Sequence, residues 1–153
     1  MTHYKFGPIL ISETQVFFKS KLSIGIVNLK PIAPGHVLVL PRRVVPRMAD
    51  LTHQETCDLM LSAQKVGNVV EKHFHGTSLT MVIQDGPQAG QTVPHVHMHI
   101  IPRKNGDWAN NDDIYEELDN KKKGVDNDDR TPRSETEMAI EANELRVYFE
   151  KDE

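Results

Sequence analysis

The sequence predicts an α+β domain: a mostly antiparallel five-stranded sheet with a long helix against one face and a second helix near the C-terminus. Three observations lead there. Short β-prone runs alternate with turn formers over residues 15–41 and return over 78–101. Apolar residues from Leu51 to Phe74 recur at helical spacing. Ser134 with Glu137 opens a second helix-like stretch that runs to about Leu145.

Taken in order, Gln15 to Lys19 and Ile24 to Asn28 are rich in apolar and β-branched residues and read as strands. Lys30-Pro31-Ile32-Ala33-Pro34-Gly35 is a turn by its prolines and glycine. His36 to Leu40 is a third strand, stopped by Pro41. Thr52 and Glu55 form a capping box, and Leu59, Ala63, Val66, Val70 and Phe74 follow as one apolar stripe, with Gly76 as the stop. Ser78 to Gln84 is a fourth strand, and the glycines of 85–91 mark a loop. His97 to Ile101 is the fifth strand, ended by Pro102. Residues 107–132 are polar and acidic and read as a mobile, solvated loop within a single domain spanning 1–153. Met138, Leu145 and the Tyr148-Phe149 pair are the expected core contacts of the last helix.

The 153 residues suffice for one core. No apolar run approaches the ~20 residues of a membrane-spanning helix. The N-terminus lacks a basic-then-apolar signal pattern, and the single cysteine, Cys57, suits a reducing compartment. The expected compartment is therefore cytoplasmic, with the nucleus and mitochondria as further candidates. Residues 1–103 hold 10 basic and 6 acidic side chains, while 104–153 hold 8 and 16, which together give the net charge of -4. So small a basic excess argues against a surface for duplex nucleic acid.

The run Pro94-His95-Val96-His97-Met98-His99-Ile100-Ile101 alternates strictly. On a strand, Val96, Met98 and Ile100 share one face, and His95, His97 and His99 share the other at roughly 6.6 Å intervals. Three imidazoles in a row suit two chemistries. They can ligate zinc, or one can attack phosphorus while the others bind or protonate phosphate oxygens. The preceding Gly90-Gln91-Thr92 favours phosphate, because glycine allows close backbone approach and Gln and Thr donate hydrogen bonds. Spacing alone leaves both open.

The same stretch, with Asn28 to Pro31, Pro34 to Val39, Val70 to Thr80, Gln84 to Pro87, Ile114 to Leu118 and Leu145 to Phe149, resembles the Fhit branch of the histidine triad (HIT) family. The resemblance runs from about Phe6 to Phe149. It implies a dinucleoside polyphosphate hydrolase that cleaves diadenosine triphosphate to AMP and ADP through an AMP-histidine adduct. His97 resembles the nucleophile, and His99 the phosphate contact and acid for the leaving group. His95 resembles a support, and His36 a further histidine beside the site. Asn28 resembles the ribose contact and Gln84 a phosphate contact, with Gly90, Gln91, Thr92 and Val93 supplying loop contacts. Phe6, Ile26 and Leu38 would line an adenine pocket. Tyr115 resembles a phosphorylatable tyrosine, which implies a tyrosine kinase as partner. A homodimer with a continuous sheet is expected. So is a divalent cation, Mg2+ or Mn2+, carried by the substrate rather than held by the protein. Two alternatives share these residues: a signalling module whose dinucleotide complex is the active species, and a hydrolase of nucleoside phosphoramidates or adenylyl sulfate.

Overall fold

The computed structural model describes residues 3–118 and 131–150. Its centre is a five-stranded antiparallel sheet of β3 (Val16–Lys19), β4 (Ser23–Val27), β5 (Val37–Pro41), β6 (Ser78–Ile83) and β7 (Met98–Arg103), in the order β3-β4-β5-β7-β6. All five predicted strands are present. Ahead of them lies an element the sequence reading did not resolve, a hairpin of β1 (His3–Phe6) and β2 (Ile9–Ser12) joined through Gly7, whose φ is +58°.

The long helix α1 (His53–His73) begins at the Thr52–Glu55 capping box and lies against β4, β5 and β7. Its stripe buries Leu59, Ala63, Val66 and Val70 against Val37, Val39, Val96, Met98 and Ile100. Glu55 also accepts from Arg43 Nε at 3.0 Å and Nη2 at 2.7 Å. Thr52→Ala removes the acceptor for the Glu55 N–H and is expected to cost ~1 kcal/mol of unfolding free energy. A denaturant titration measures it.

The last helix, α3 (Glu135–Arg146), opens at the Ser134–Glu137 capping box and buries Met138, Ala142 and Leu145 in the same core. Phe149 joins that core against Phe17 and Phe18, whereas Tyr148 is exposed and bonded to His73. A second cluster fills the opposite face of the sheet, where Val16, Ile24, Ile26, Leu38 and Leu40 meet Phe6 and Ile11 of the hairpin. The central sheet is thus covered on both sides.

Three sequence boundaries need correction. Neither Pro41 nor Pro102 stops its strand: each lies within its element, Pro41 opposite Ser23 and Pro102 opposite Leu79. The ladder between β5 and β7 spans only Val37–Val39 and 98–100, so at both prolines one side of the strand is already open and no N–H is missed. The fifth strand starts at Met98, leaving His95 and His97 in the approach to it. The stretch read as a solvated loop contains the helix α2 (Asp113–Leu118), which buries Ile114 and Leu118 against Ile101. Residues 119–130 of that predicted loop lie outside the described residues.

Candidate active site

His97 and His99 line one cavity of about 210 Å³ together with Phe6, Ile26, Leu38, Asn28, Thr92 and Val93. Eight of the residues singled out in the sequence therefore converge. The hairpin residues Ile9, Leu10 and Ile11 complete the wall. Sequence reasoning missed them because Ile9 and Leu10 expose much of their surface and the strands are too short to show a period.

Hydrogen bonds fix the tautomers of the four histidines. His36 Nδ1 accepts from the Ile32 N–H at 3.1 Å, so its proton resides on Nε2. That Nε2–H donates to His99 Nδ1 at 2.9 Å. His99 in turn carries its proton on Nε2, a buried atom with no protein partner among the described residues. His97 Nδ1–H donates to the His95 carbonyl oxygen at 2.7 Å, which puts the ring's lone pair on Nε2. The two rings are 5.1 Å apart between centroids. One cavity wall thus presents a nitrogen nucleophile beside a desolvated N–H donor. An unmet donor in such a place is costly unless a ligand meets it.

His95 stands apart from the cavity. Its Nδ1 accepts from the Gly7 N–H at 2.9 Å and its Nε2–H donates to the Pro41 carbonyl at 2.8 Å. It fastens the hairpin to the end of β5, and its own carbonyl orients His97. The three histidines do share one face of the chain, opposite Val96, Met98 and Ile100, but that face is buried as well. Phe6 packs on His97 and His95, with centroids at 4.8 and 5.9 Å.

Asn28 sits at the end of β4 with Nδ2 3.2 Å from His36 Nε2, and its Oδ1 accepts from the Lys30 N–H at 3.2 Å. Arg133, which no motif marked, donates to the Asn28 carbonyl at 2.5 and 3.1 Å and pairs with Glu141 at 2.7 Å. Gln84, Gly90, Gln91 and Tyr115 do not line this cavity. They line a second one of about 760 Å³ that shares Thr92 with the first. There Gln84 Nε2 donates to the Leu118 carbonyl at 3.4 Å, and Tyr115 is 54% exposed. Among the described residues, no group of three His, Cys, Asp or Glu side chains converges to hold a metal ion.

Burial pushes the His95 imidazole below its ordinary pKa, with the Pro41 carbonyl opposing. Burial, then the neighbouring His36 and His97, holds His99 well below its own. Both rings are therefore neutral in the folded chain. An unfolded histidine titrates near pH 6.5. Below that pH the unfolded chain takes up protons that the folded chain refuses, so stability is full above about pH 7 and falls as pH drops through 6.5. Glu55, held at about 2 chiefly by Arg43, loses its contribution lower down, as pH falls from 4.5 towards 2. Denaturant unfolding at pH 7, 6 and 5 is expected to show the loss, and the slope should be shallower in His95→Gln. Stability that rises on acidification would contradict the assignment.

Comparison with known proteins agrees with this geometry. Residues 11–106 match the family model described as "HIT domain". The chain is 53% identical over 152 residues to a bis(5'-adenosyl)-triphosphatase of Dictyostelium discoideum, covering 99% of this chain and 97% of the relative. It is 54% identical over 152 residues to the bifunctional bis(5'-adenosyl)-triphosphatase/adenylylsulfatase FHIT of Arabidopsis thaliana, covering 96% and 84%. The crystal structure of the Plasmodium falciparum diadenosine triphosphate hydrolase superposes with a TM-score of 0.80 at 33% identity, covering 99% of this chain and 86% of that one. With the family model matched over residues 11–106 and relatives matched along almost its whole length, the chain belongs to the Fhit branch of the HIT domain family.

Proposed function

We propose that the protein hydrolyses dinucleoside polyphosphates, cleaving diadenosine triphosphate to AMP and ADP through a covalent adduct on His97. One observation carries the reading: the His97 Nε2 lone pair and the unmet His99 Nε2–H face the same buried cavity. The names of the matched relatives supply the substrate class. The adenosine would occupy the apolar wall of Phe6, Ile26 and Leu38, with Asn28 at the ribose. His97 Nε2 attacks the α-phosphorus, a P–N bond forms, and the P–O bond to ADP breaks. His99 Nε2–H hydrogen-bonds the phosphoryl oxygens as charge grows there, and ADP departs as the anion. Water then attacks the same phosphorus, the P–N bond breaks, AMP leaves and His97 returns to its starting tautomer. Two displacements replace one difficult step.

Magnesium or manganese would ride on the substrate. Among the described residues, no aspartate or glutamate lines the cavity, which supports the polyphosphate itself as its ligand. β6 is an edge strand of the sheet among the described residues, and Met60 and Leu61 of α1 and Met81 of β6 expose apolar surface, which supports a homodimer that continues the sheet. Exposed Tyr115 suits the predicted kinase partner, and the free thiol of Cys57 suits the cytoplasm. The Arabidopsis relative's second activity favours adenylyl sulfate as a further substrate, since the same adduct would form. Purified protein given diadenosine triphosphate should release AMP and ADP in equal amounts. Two AMP molecules per turnover with free orthophosphate, or no cleavage, would reject the reading. Specificity constants for adenylyl sulfate and a nucleoside phosphoramidate rank the alternatives.

A further inference from the structure

The segment between β6 and β7 reaches both cavities: Gln84 and residues 87–92 line the second, Thr92 and Val93 the first. Its own bonds make one tight turn. Ala89 and Gln91 N–H donate to the Gly86 carbonyl at 3.0 and 3.1 Å, and Gly90 N–H donates to Pro87 at 3.0 Å. Gly86 and Gly90 have φ of +107° and +96°, conformations other residues adopt only with strain. Such a turn has no hydrophobic core of its own to fix its position.

The turn is tied to the body at residues 46–48, and the chain just after it is tied at Val45. Asp85 Oδ1 accepts from the Met48 N–H at 3.0 Å and from Arg47 Nε at 3.0 Å, with Arg47 Nη2 3.5 Å from Oδ2. Gln91 Nε2 donates to the Pro46 carbonyl at 2.9 Å, while its Oε1 accepts from the Gly86 N–H at 2.9 Å. The Val96 N–H donates to the Val45 carbonyl at 2.8 Å. The Arg47 guanidinium also lies flat against Gly86, where an added Cβ would meet it at 3.2 Å. Arg47 lines neither cavity.

We propose that Arg47 and Asp85 are positioning residues for the substrate, holding the 84–93 segment in register from outside the site. Gln91 belongs to the same fastening, its side chain engaged with the body rather than with the ligand. An exposed ion pair contributes little to stability. Its effect here is on where the turn stands, and so on how the polyphosphate is received. A shift of about 1 Å in such a turn is felt in binding and turnover. The kinetic part of the inference rests on the hydrolase reading.

Two variants separate positioning from simple charge attraction. Arg47→Ala removes a cation near a polyanion, and Asp85→Asn removes an anion. If Arg47 acted only as a cation, Asp85→Asn would lower the KM for diadenosine triphosphate. Positioning requires both variants to raise KM, by about five- to tenfold, with kcat within about twofold. Arg47→Lys, which cannot fork the carboxylate, should recover only part of the loss. Amide hydrogen exchange, run without substrate, should quicken at Gly86 and Gln91 in both variants while α1 amides are unmoved. Unchanged exchange, or a KM for Asp85→Asn equal to or below that of the parent, overturns the proposal. If the parent protein does not cleave diadenosine triphosphate, the hydrolase reading fails, and the exchange measurement still decides whether the pair holds the turn.

Discussion

Replacing His97 by asparagine is expected to lower kcat for diadenosine triphosphate by about 10⁴-fold or more while leaving substrate affinity within a few-fold. The asparagine amide can donate to the His95 carbonyl as the His97 Nδ1–H does at 2.7 Å, so the local backbone keeps its partner. What disappears is the lone pair on Nε2. The apolar wall, Asn28 and the His99 donor are untouched, and in the proposed reading these are the groups that hold the nucleoside and its phosphate. Turnover measured by product release and affinity measured by calorimetry should therefore separate widely. A variant retaining a tenth of parental activity would mean that another group attacks phosphorus. The variant that binds without cleaving also isolates the complex for tests of signalling.

Gly35→Ala is expected to cost about 3 kcal/mol or more of unfolding free energy. Gly35 has φ of +85° and ends the turn that delivers His36 to the site. An added Cβ would stand 2.5 and 2.8 Å from Phe74 ring carbons and 2.9 Å from the Pro102 ring. Phe74 closes α1 and Pro102 lies in β7, so neither ring yields without disturbing its element. Gly106→Ala is the control. Its φ is +80° and nothing lies within 4 Å of the added carbon, so only the backbone term of about 1 kcal/mol remains. Because His36 follows directly, Gly35→Ala should also depress activity beyond the folded fraction, by disturbing the Ile32–His36–His99 chain of hydrogen bonds. Equal costs for the two glycines would refute the clash.

The α1 helix was legible because its cap and apolar stripe are local signals, and tertiary packing followed them. The five central strands were legible for the same reason, up to their ends. Prolines 41 and 102 misled because a ladder that stops short on one side is a tertiary fact. The helix α2 hides in a charged stretch whose two buried apolar residues, Ile114 and Leu118, join Ile101 in a small separate cluster. At the site, the histidine spacing narrowed the chemistry to zinc or phosphate and did not show the division of labour. His95 looks equivalent to its neighbours in sequence, yet its partners are backbone groups of Gly7 and Pro41, which no pattern of side chains can announce. Arg133 and Arg47 were invisible likewise, since each acts on a backbone carbonyl or a loop far along the chain.

The most direct test of the account is to trap the intermediate. Protein mixed with diadenosine triphosphate and quenched in alkali within one turnover should carry AMP on the peptide that contains His97, bonded through nitrogen and lost on mild acid treatment. The adduct should form and decay at rates consistent with kcat. A protein that turns over normally with no adduct, or with AMP on a different residue, would contradict the central claim.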